Sequence, residues 1–308
     1  MKKALVGYTG FVGSNICENE GFDGMYNSRN IGEAYGTKPD LLVYAGLRAE
    51  KYLANHEPER DLELIHQAEN NIMQIAPKKL VLISTVDVLK DPAGADENTL
   101  IDTEGLNAYG ANRYVLEQFV RKEYPEALII RLPGLFGKNI KKNFIYDYMN
   151  RIPFMLTEAK MQELCEKDPE LKTYYQMQDN GFFKVSELSA ENRKLLRKKF
   201  DLLGFSALNF TDSRSVYQFY PLERLWRDIV TALENDIRLL HPATEPVAAG
   251  ELYEYLTGKT FVNELAGKPV SYDFRTIYDK VYNGENGYIC SKQQVMEAIR
   301  KFVMEYRK

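Results

Sequence analysis

The segment Lys3-Ala-Leu-Val-Gly7-Tyr-Thr-Gly10-Phe-Val-Gly13-Ser-Asn-Ile16 constrains this chain more than any other. Ala4, Leu5 and Val6 form a short apolar run, the pattern of a strand buried in a parallel sheet. Glycines then stand at positions 7, 10 and 13, and an amphipathic segment follows. The order is strand, tight turn, helix start. Glycines allow a turn that side chains would block, and they let the backbone approach a pyrophosphate. The helix start adds free N–H groups and a partial positive charge. The turn therefore predicts a dinucleotide cofactor, with Gly7, Gly10, Phe11, Val12 and Gly13 as the residues that meet it. A glycine pattern alone is a weak signal; its place directly after the first strand supplies the context.

The rest of the first half alternates strands and helices. Leu41–Tyr44, Leu80–Ser84 and Leu128–Leu132 are apolar runs, and helical stretches cover Pro58 to Ile75 and Tyr109 to Tyr124. In the last of these, Tyr109, Arg113, Leu116 and Val120 share one face. Alternation of this kind predicts an α/β fold, a doubly wound parallel sheet of Rossmann type, with the ligand beyond the strand C-termini. The expected division is a dinucleotide-binding domain over 1–155, completed by about 205–240, and a smaller, partly helical substrate-binding region over 156–308. Residues 156–200 read as helices without a comparable strand. Glu191 to Phe200 reads as a basic helix with a solvated face. Further helices are predicted over Leu222–Leu239, Pro246–Leu256 and Ser291–Tyr306.

The second strand is read as Gly24–Ser28. A strict NAD pattern would end it in an acidic residue. Here the end is Asn27-Ser28-Arg29-Asn30. No carboxylate repels a 2′-phosphate, and Arg29 stands ready to pair with one. NADP is the expected cofactor, with NAD as the alternative. Asn27, Ser28 and Arg29 are the candidate contacts.

With 308 residues the chain is long enough for one large or two medium domains. A formal net charge of −4 gives no basic field for nucleic acid. No apolar run approaches the roughly 20 residues of a membrane span. The first strand begins too early for a signal peptide to precede it, so a cytoplasmic location is expected. Cys17, Cys165 and Cys290 are far apart and read as reduced thiols; no metal site is expected. His56, His66 and His241 read as surface or structural residues.

The fourth strand ends in Ser84-Thr85-Val86-Asp87, and Tyr109-Gly-Ala-Asn-Arg113 opens a helix. A hydroxyl at a strand end and a tyrosine at a helix start can face the same sheet edge. A cation one turn on stabilises phenolate and lowers the phenol from its usual value near 10. The tyrosine then exchanges a proton with a hydroxyl or ketone while hydride moves to or from nicotinamide, and Thr85 holds the same oxygen.

Together these residues resemble the extended short-chain dehydrogenase/reductase family, the epimerases, dehydratases and reductases of nucleotide sugars. The resemblance is clear over roughly residues 1–150. Gly7, Gly10 and Gly13 match its Gly-x-x-Gly-x-x-Gly loop, Ala45-Gly46 its small pair after the third strand, Thr85 its catalytic Ser or Thr, and Tyr109 its catalytic tyrosine. Ser-Thr-Val-Asp-Val looks most like the dTDP-4-dehydrorhamnose reductase branch. Arg131-Leu-Pro-Gly-Leu-Phe-Gly137 is similar to the family's Arg-x-x-Asn-x-Tyr-Gly.

The resemblance implies a nucleotide-sugar substrate, met by Asp87, Asn143, Arg214, Gln218 and Tyr220, and a place in surface polysaccharide synthesis. It also implies a homodimer through a four-helix contact that includes the Tyr109–Tyr124 helix. There are two departures. Arg113 stands where the family carries the lysine of Tyr-x-x-x-Lys, and Gly134 stands where it often carries a substrate-binding asparagine. Arg113 keeps the charge and is expected to tune Tyr109 and bind the nicotinamide ribose, but its guanidinium is bulky and planar. The two departures leave open a cofactor-sensing protein that has lost turnover. Tyr217 and Phe219 also fit the alternation of an ordinary strand.

Overall fold

The structure, a computed structural model, describes residues 1–306. Its central sheet has six strands: β1 (Lys3–Val6), β2 (Gly24–Tyr26), β3 (Leu41–Tyr44), β4 (Lys79–Thr85), β5 (Leu128–Leu132) and β6 (Leu239–Leu240). They lie in the order β2-β1-β3-β4-β5-β6, and every pairing is parallel. The apolar runs have a physical reason. Every residue of β3 and β5 is buried, because a parallel sheet is covered on both faces. The winding reverses between β1 and β3, so the switch point lies where Gly7 leaves β1 and Ala45 leaves β3.

Helices α1 (Phe11–Cys17), α2 (Lys51–His56), α3 (Pro58–Ile75) and α4 (Ala108–Glu123) pack around this sheet. Pro58 opens α3 with Glu59 and Asp61 in its first turn, and Ala76 closes it in the left-handed region at φ 51°. Ile65, Ala68 and Ile72 of α3 and Leu116 and Val120 of α4 share one core with Leu42, Leu80 and Leu82. Each fully buried Leu or Ile contributes about 1.5–3 kcal/mol. No helix among the described residues is long and apolar enough to cross a membrane.

The chain forms two compact units: Met1–Ile140 with Val216–Val247 and Val270–Lys308, and Lys141–Ser215 with Ala248–Pro269. The second unit contains an antiparallel sheet in which Phe182–Val185 lies between Met155–Thr157 and Tyr175–Met177. Its core includes Leu156, Met161, Leu164, Leu196 and Phe200.

Two expectations are corrected here. The strands of the second unit are three or four residues long and partly exposed, so they leave no apolar run to read. The terminal helix Lys292–Tyr306 falls in the first unit, with the central sheet, and not in the second. It buries Val295, Ile299 and Val303, and Phe302 lies 5.8 Å from Phe136, ring to ring.

Candidate active site

Backbone alone builds the cradle at the switch point. Gly7 has φ 94°, and a Cβ there would lie 2.3 Å from the Ala45 carbonyl oxygen. A Cβ on Gly13 would lie 2.2 Å from the Gly7 carbonyl oxygen. The Gly10 amide donates to that same oxygen at 2.9 Å. Gly46 would meet the Val6 side chain at 2.9 Å. These positions therefore admit no side chain. Gly10 caps α1 without a side-chain hydrogen bond, and Phe11 and Val12 are half-buried in the first turn. The cradle fits a pyrophosphate, because the close main-chain approaches at Gly7 and Gly13 need glycine and leave its backbone open to a phosphate.

The end of β2 is held by its own side chains. Asn30 Oδ1 accepts from the Asn27 amide at 2.8 Å, and Asn27 Oδ1 accepts from the Arg29 amide at 2.9 Å. Ser28 and Arg29 are exposed. The Arg29 guanidinium makes no hydrogen bond or ion pair among the described residues.

The second part of the site is made of side chains. Asn107 caps α4 by accepting from the Gly110 amide at 3.0 Å, and Asn55 of α2 accepts from the Tyr109 amide at 3.1 Å. Gly110 is needed because a Cβ there would sit 2.0 Å from the Asp87 carbonyl oxygen. Thr85 Oγ1 donates to Asp87 Oδ2 at 3.0 Å and accepts from the Asp87 amide at 3.2 Å. The Lys51 ammonium lies 2.7 Å from Asp87 Oδ1 and 2.6 Å from Oδ2. Burial holds the Tyr272 phenol above its usual value; the Lys51 charge opposes this and the charge of the same carboxylate adds to it. The Tyr109 hydroxyl makes no hydrogen bond among the described residues.

Arg113 is turned into the interior of the fold. It is 4 % exposed, donates to Asp61 through Nη1, and donates to the Arg48 carbonyl at 2.8 Å through Nη2. Its guanidinium lies on the Tyr109 ring, 4.2 Å from the centroid. Burial pushes the Tyr109 phenol above its usual value; Arg113 and Lys51 pull it down, while Asp87 and Asp61 push it up. The expectation of a net lowering is corrected: desolvation outweighs the cation.

A buried polar cluster fastens α4 to the sheet. Glu117 accepts from the Ser84 hydroxyl at 2.6 Å and from Arg131 Nη2 at 2.6 Å. Arg131 Nη1 lies 3.3 Å from His241 Nε2, and His241 Nδ1 lies 3.2 Å from the Arg275 carbonyl oxygen. The imidazole is thus neutral, donating through Nδ1 and accepting through Nε2. Burial and Arg131 hold its pKa down at about 3. Arg131 therefore positions α4 and β4 from behind.

Two of the expected substrate residues are withdrawn. Gln218 is 2 % exposed; its amide donates to the carbonyls of Thr244 and Phe274 and accepts from the Phe274 amide. Tyr220 is fully buried and donates to Asp228 at 2.6 Å. Both are committed to the interior and have nothing left for a ligand. Gly134 is explained by the same strand, since a Cβ there would lie 2.9 Å from the Gln218 carbonyl oxygen.

In the second unit, Asn143 caps Phe144–Asn150 by accepting from the amides of Ile145 and Tyr146. Arg214 donates to Asp212 through Nε and Nη2 and to Glu264 through Nη1. Sequence reasoning missed Lys51, Asp61 and Tyr272, which carry no motif and lie far from Tyr109 along the chain.

No protein-family model matches the chain, and no curated protein does. Solved structures do. dTDP-4-dehydrorhamnose reductase from Yersinia enterocolitica is similar at 14 % identity over 99 % of this chain and 100 % of that one, with a TM-score of 0.64. The Bacillus anthracis dTDP-4-dehydrorhamnose reductase, in complex with NADP, gives 17 %, 99 % of each chain and 0.63. UDP-glucose 4-epimerase from Thermotoga maritima, with UDP-glucose, gives 13 %, 100 % and 99 %, and 0.62. The chain thus has the Rossmann-type fold of these reductases and epimerases.

Proposed function

We propose that this chain is an NAD(P)-dependent oxidoreductase or epimerase acting on a nucleotide-activated sugar, and most specifically a keto-sugar reductase that uses NADPH. The observation that carries this reading is one juxtaposition. A cradle formed by close main-chain approaches lies at the switch point, and two strands away Thr85, at the end of β4, and Tyr109 of α4, with an unengaged phenol, are both set about Asp87. The complexes with NADP and UDP-glucose on the same fold support it.

A bound nicotinamide supplies or takes up the hydride. Gly7, Gly10 and Gly13 with the start of α1 would hold its pyrophosphate, and Arg29 its 2′-phosphate. Tyr109 gives its proton to the substrate oxygen as a carbonyl becomes a carbinol, or takes it back in the reverse sense. Thr85 directs its proton at Asp87 in the free protein, and it would hold the substrate oxygen by turning that proton toward it. Asp87 acts by orienting Thr85. Asn143 and Arg214 remain proposed substrate contacts, and the homodimer through α4 belongs to the same reading.

A second reading is a cofactor-binding sensor without turnover. It is favoured by the sealing of Arg113 against Asp61.

Calorimetric titration with NADPH and NADH, followed by turnover assays on keto-sugar nucleotides, tests both. Tyr109→Phe is expected to lose about 100-fold or more in kcat while cofactor affinity is kept. Unchanged turnover in that variant overturns the proton role of Tyr109. Binding without turnover in the wild type moves the assignment to the sensor. Binding of neither cofactor overturns both.

A further inference from the structure

We propose that Lys51, rather than Arg113, is the cation that faces a bound ligand beside Tyr109. Arg113 occupies the position expected for that task, four residues after the tyrosine. Its side chain is 5 % exposed, as is 4 % of the Asp61 side chain it pairs with. Its guanidinium is spent on Asp61, the Arg48 carbonyl and the face of the Tyr109 ring. A side chain held on those sides forms a platform under the tyrosine and offers an arriving molecule far less open surface than Lys51 does.

Lys51 differs in each respect. Its side chain is 52 % exposed, and its ammonium lies 5.8 Å from the centroid of the Tyr109 ring. Asp87 is its acidic partner, holding it through both carboxylate oxygens. An ammonium has three N–H donors, so one remains for a hydroxyl or phosphate oxygen. The position of Lys51 is set by α2, whose Asn55 also accepts from the Tyr109 amide, so the lysine and the tyrosine are fixed to one another.

The charges around the phenol are then complete. Arg113 on its own helix and Asp61 on α3 form one pair, and Lys51 on α2 and Asp87 after β4 form the other, with the charges of Lys51 and Asp87 also felt by Tyr272. The first pair is buried and fixed. The second is open to solvent at Lys51 and can exchange partners when a ligand arrives. Drawing Lys51 toward the bound cofactor keeps positive charge beside Tyr109 at the point where the phenol would become phenolate. The identity of the ligand rests on the functional reading above; the electrostatic link between Lys51 and Tyr109 does not.

The full chain, labelled with 13C at the tyrosine Cζ, tests this. The Tyr109 resonance is assigned by its loss in Tyr109→Phe and followed through alkaline titration. Lys51→Met is expected to raise the Tyr109 midpoint by about one unit, a tenfold change in acidity, and Lys51→Arg to restore it. Asp87→Asn is expected to move the midpoint the opposite way and keeps the titration within a measurable range. A midpoint that Lys51→Met leaves unmoved overturns the proposal, whatever the melting temperature does.

Calorimetry with NADPH and NADH then reads the ligand. Lys51→Met is expected to weaken both about tenfold. A shifted midpoint with unchanged affinity overturns the ligand-facing part. Wild-type protein that binds neither cofactor overturns the functional reading, while the midpoint still decides the link between Lys51 and Tyr109.

Discussion

The cofactor cradle and the tyrosine cluster lie in the same unit and are built in opposite ways. The cradle is main chain: Gly7, Gly10 and Gly13, with the Ala45 carbonyl excluding a Cβ at Gly7 and the Gly7 carbonyl excluding one at Gly13. The cluster is side chain: Lys51 from α2, Asp61 from α3, Thr85 and Asp87 from the end of β4, Tyr109 and Arg113 from α4, and Tyr272. A site made of backbone fails by collision when its residues change. A site made of charges fails by losing a partner, and the group left behind does the damage. The two regions should therefore respond differently to the smallest substitutions.

The largest effect is expected in the cluster. Asp61→Ala removes the carboxylate that holds Arg113 and also accepts from Asn112 Nδ2 at 2.9 Å. It leaves a guanidinium buried without its counter-ion, which costs about 3–5 kcal/mol. Urea unfolding measures this directly. A loss below about 1 kcal/mol would mean that Arg113 finds water when Asp61 is gone, and the contrast drawn here would weaken.

In the cradle the corresponding change is Gly13→Ala, a single methyl group. Its Cβ meets the Gly7 carbonyl oxygen at 2.2 Å and the Tyr8 Cα at 3.0 Å, both main chain. Helix α1 must move away from the turn. The expected cost is about 1–3 kcal/mol in stability. NADPH affinity is expected to fall at least about tenfold, because the amides move with the helix. Binding that survives intact would show that the turn does not form the cofactor site.

The same difference decides what could be read from the sequence. The cradle is contiguous, and its spacing survives as three glycines after a strand. The parallel core was legible too, because burial on both faces makes β3 and β5 apolar at every position. The pair Thr85 and Tyr109 was legible as hydroxyls at a strand end and a helix start. Their electrostatic setting was not. The partner of Arg113 lies 52 residues away on another helix, and the acidic partner of Lys51 lies 36 residues away. No pattern in one dimension records such pairings. Gln218 and Tyr220 misled for a related reason. Polar groups in a strand look available until the fold shows that they hold the carbonyls of Thr244 and Phe274 and the carboxylate of Asp228. In the second unit, strands of three or four half-exposed residues left nothing to read at all.

A pH titration sharpens the comparison from behind the cluster. His241 has its pKa held down at about 3 in the folded chain, first by burial and then by Arg131. Its usual value is near 6.5. Between these values the unfolded chain binds the proton and the folded chain does not, so stability rises with pH. The contribution is fully present above about 6.5 and is lost as pH falls toward 3. By pH 5 the loss is about 2 kcal/mol. Urea unfolding at pH 7.5 and pH 5.0 should show this difference, and His241→Gln should remove it. The glycines of the cradle carry no titrating group, so affinity for NADH, which has no phosphate monoester to titrate in this range, should not follow the same curve. If it does, Arg131 and His241 reach the cradle through α4 and the two regions are not independent.

The smallest effect tests the one side chain the cradle borrows. Arg29 stands at the end of β2, where an acidic residue would select against a 2′-phosphate, and its guanidinium has no partner among the described residues. Its fork matches a phosphate, and nothing in the fold depends on it. Arg29→Ala is expected to weaken NADPH about tenfold in calorimetry and leave NADH within twofold. Stability should not change. The sign of the difference matters more than its size. A cofactor held by main chain alone would bind NADPH and NADH alike, so the preference that this one exposed side chain adds should vanish with it. Equal weakening of both would place Arg29 on the diphosphate or the ribose common to the two, and the preference for NADPH would then have to come from somewhere other than the end of β2.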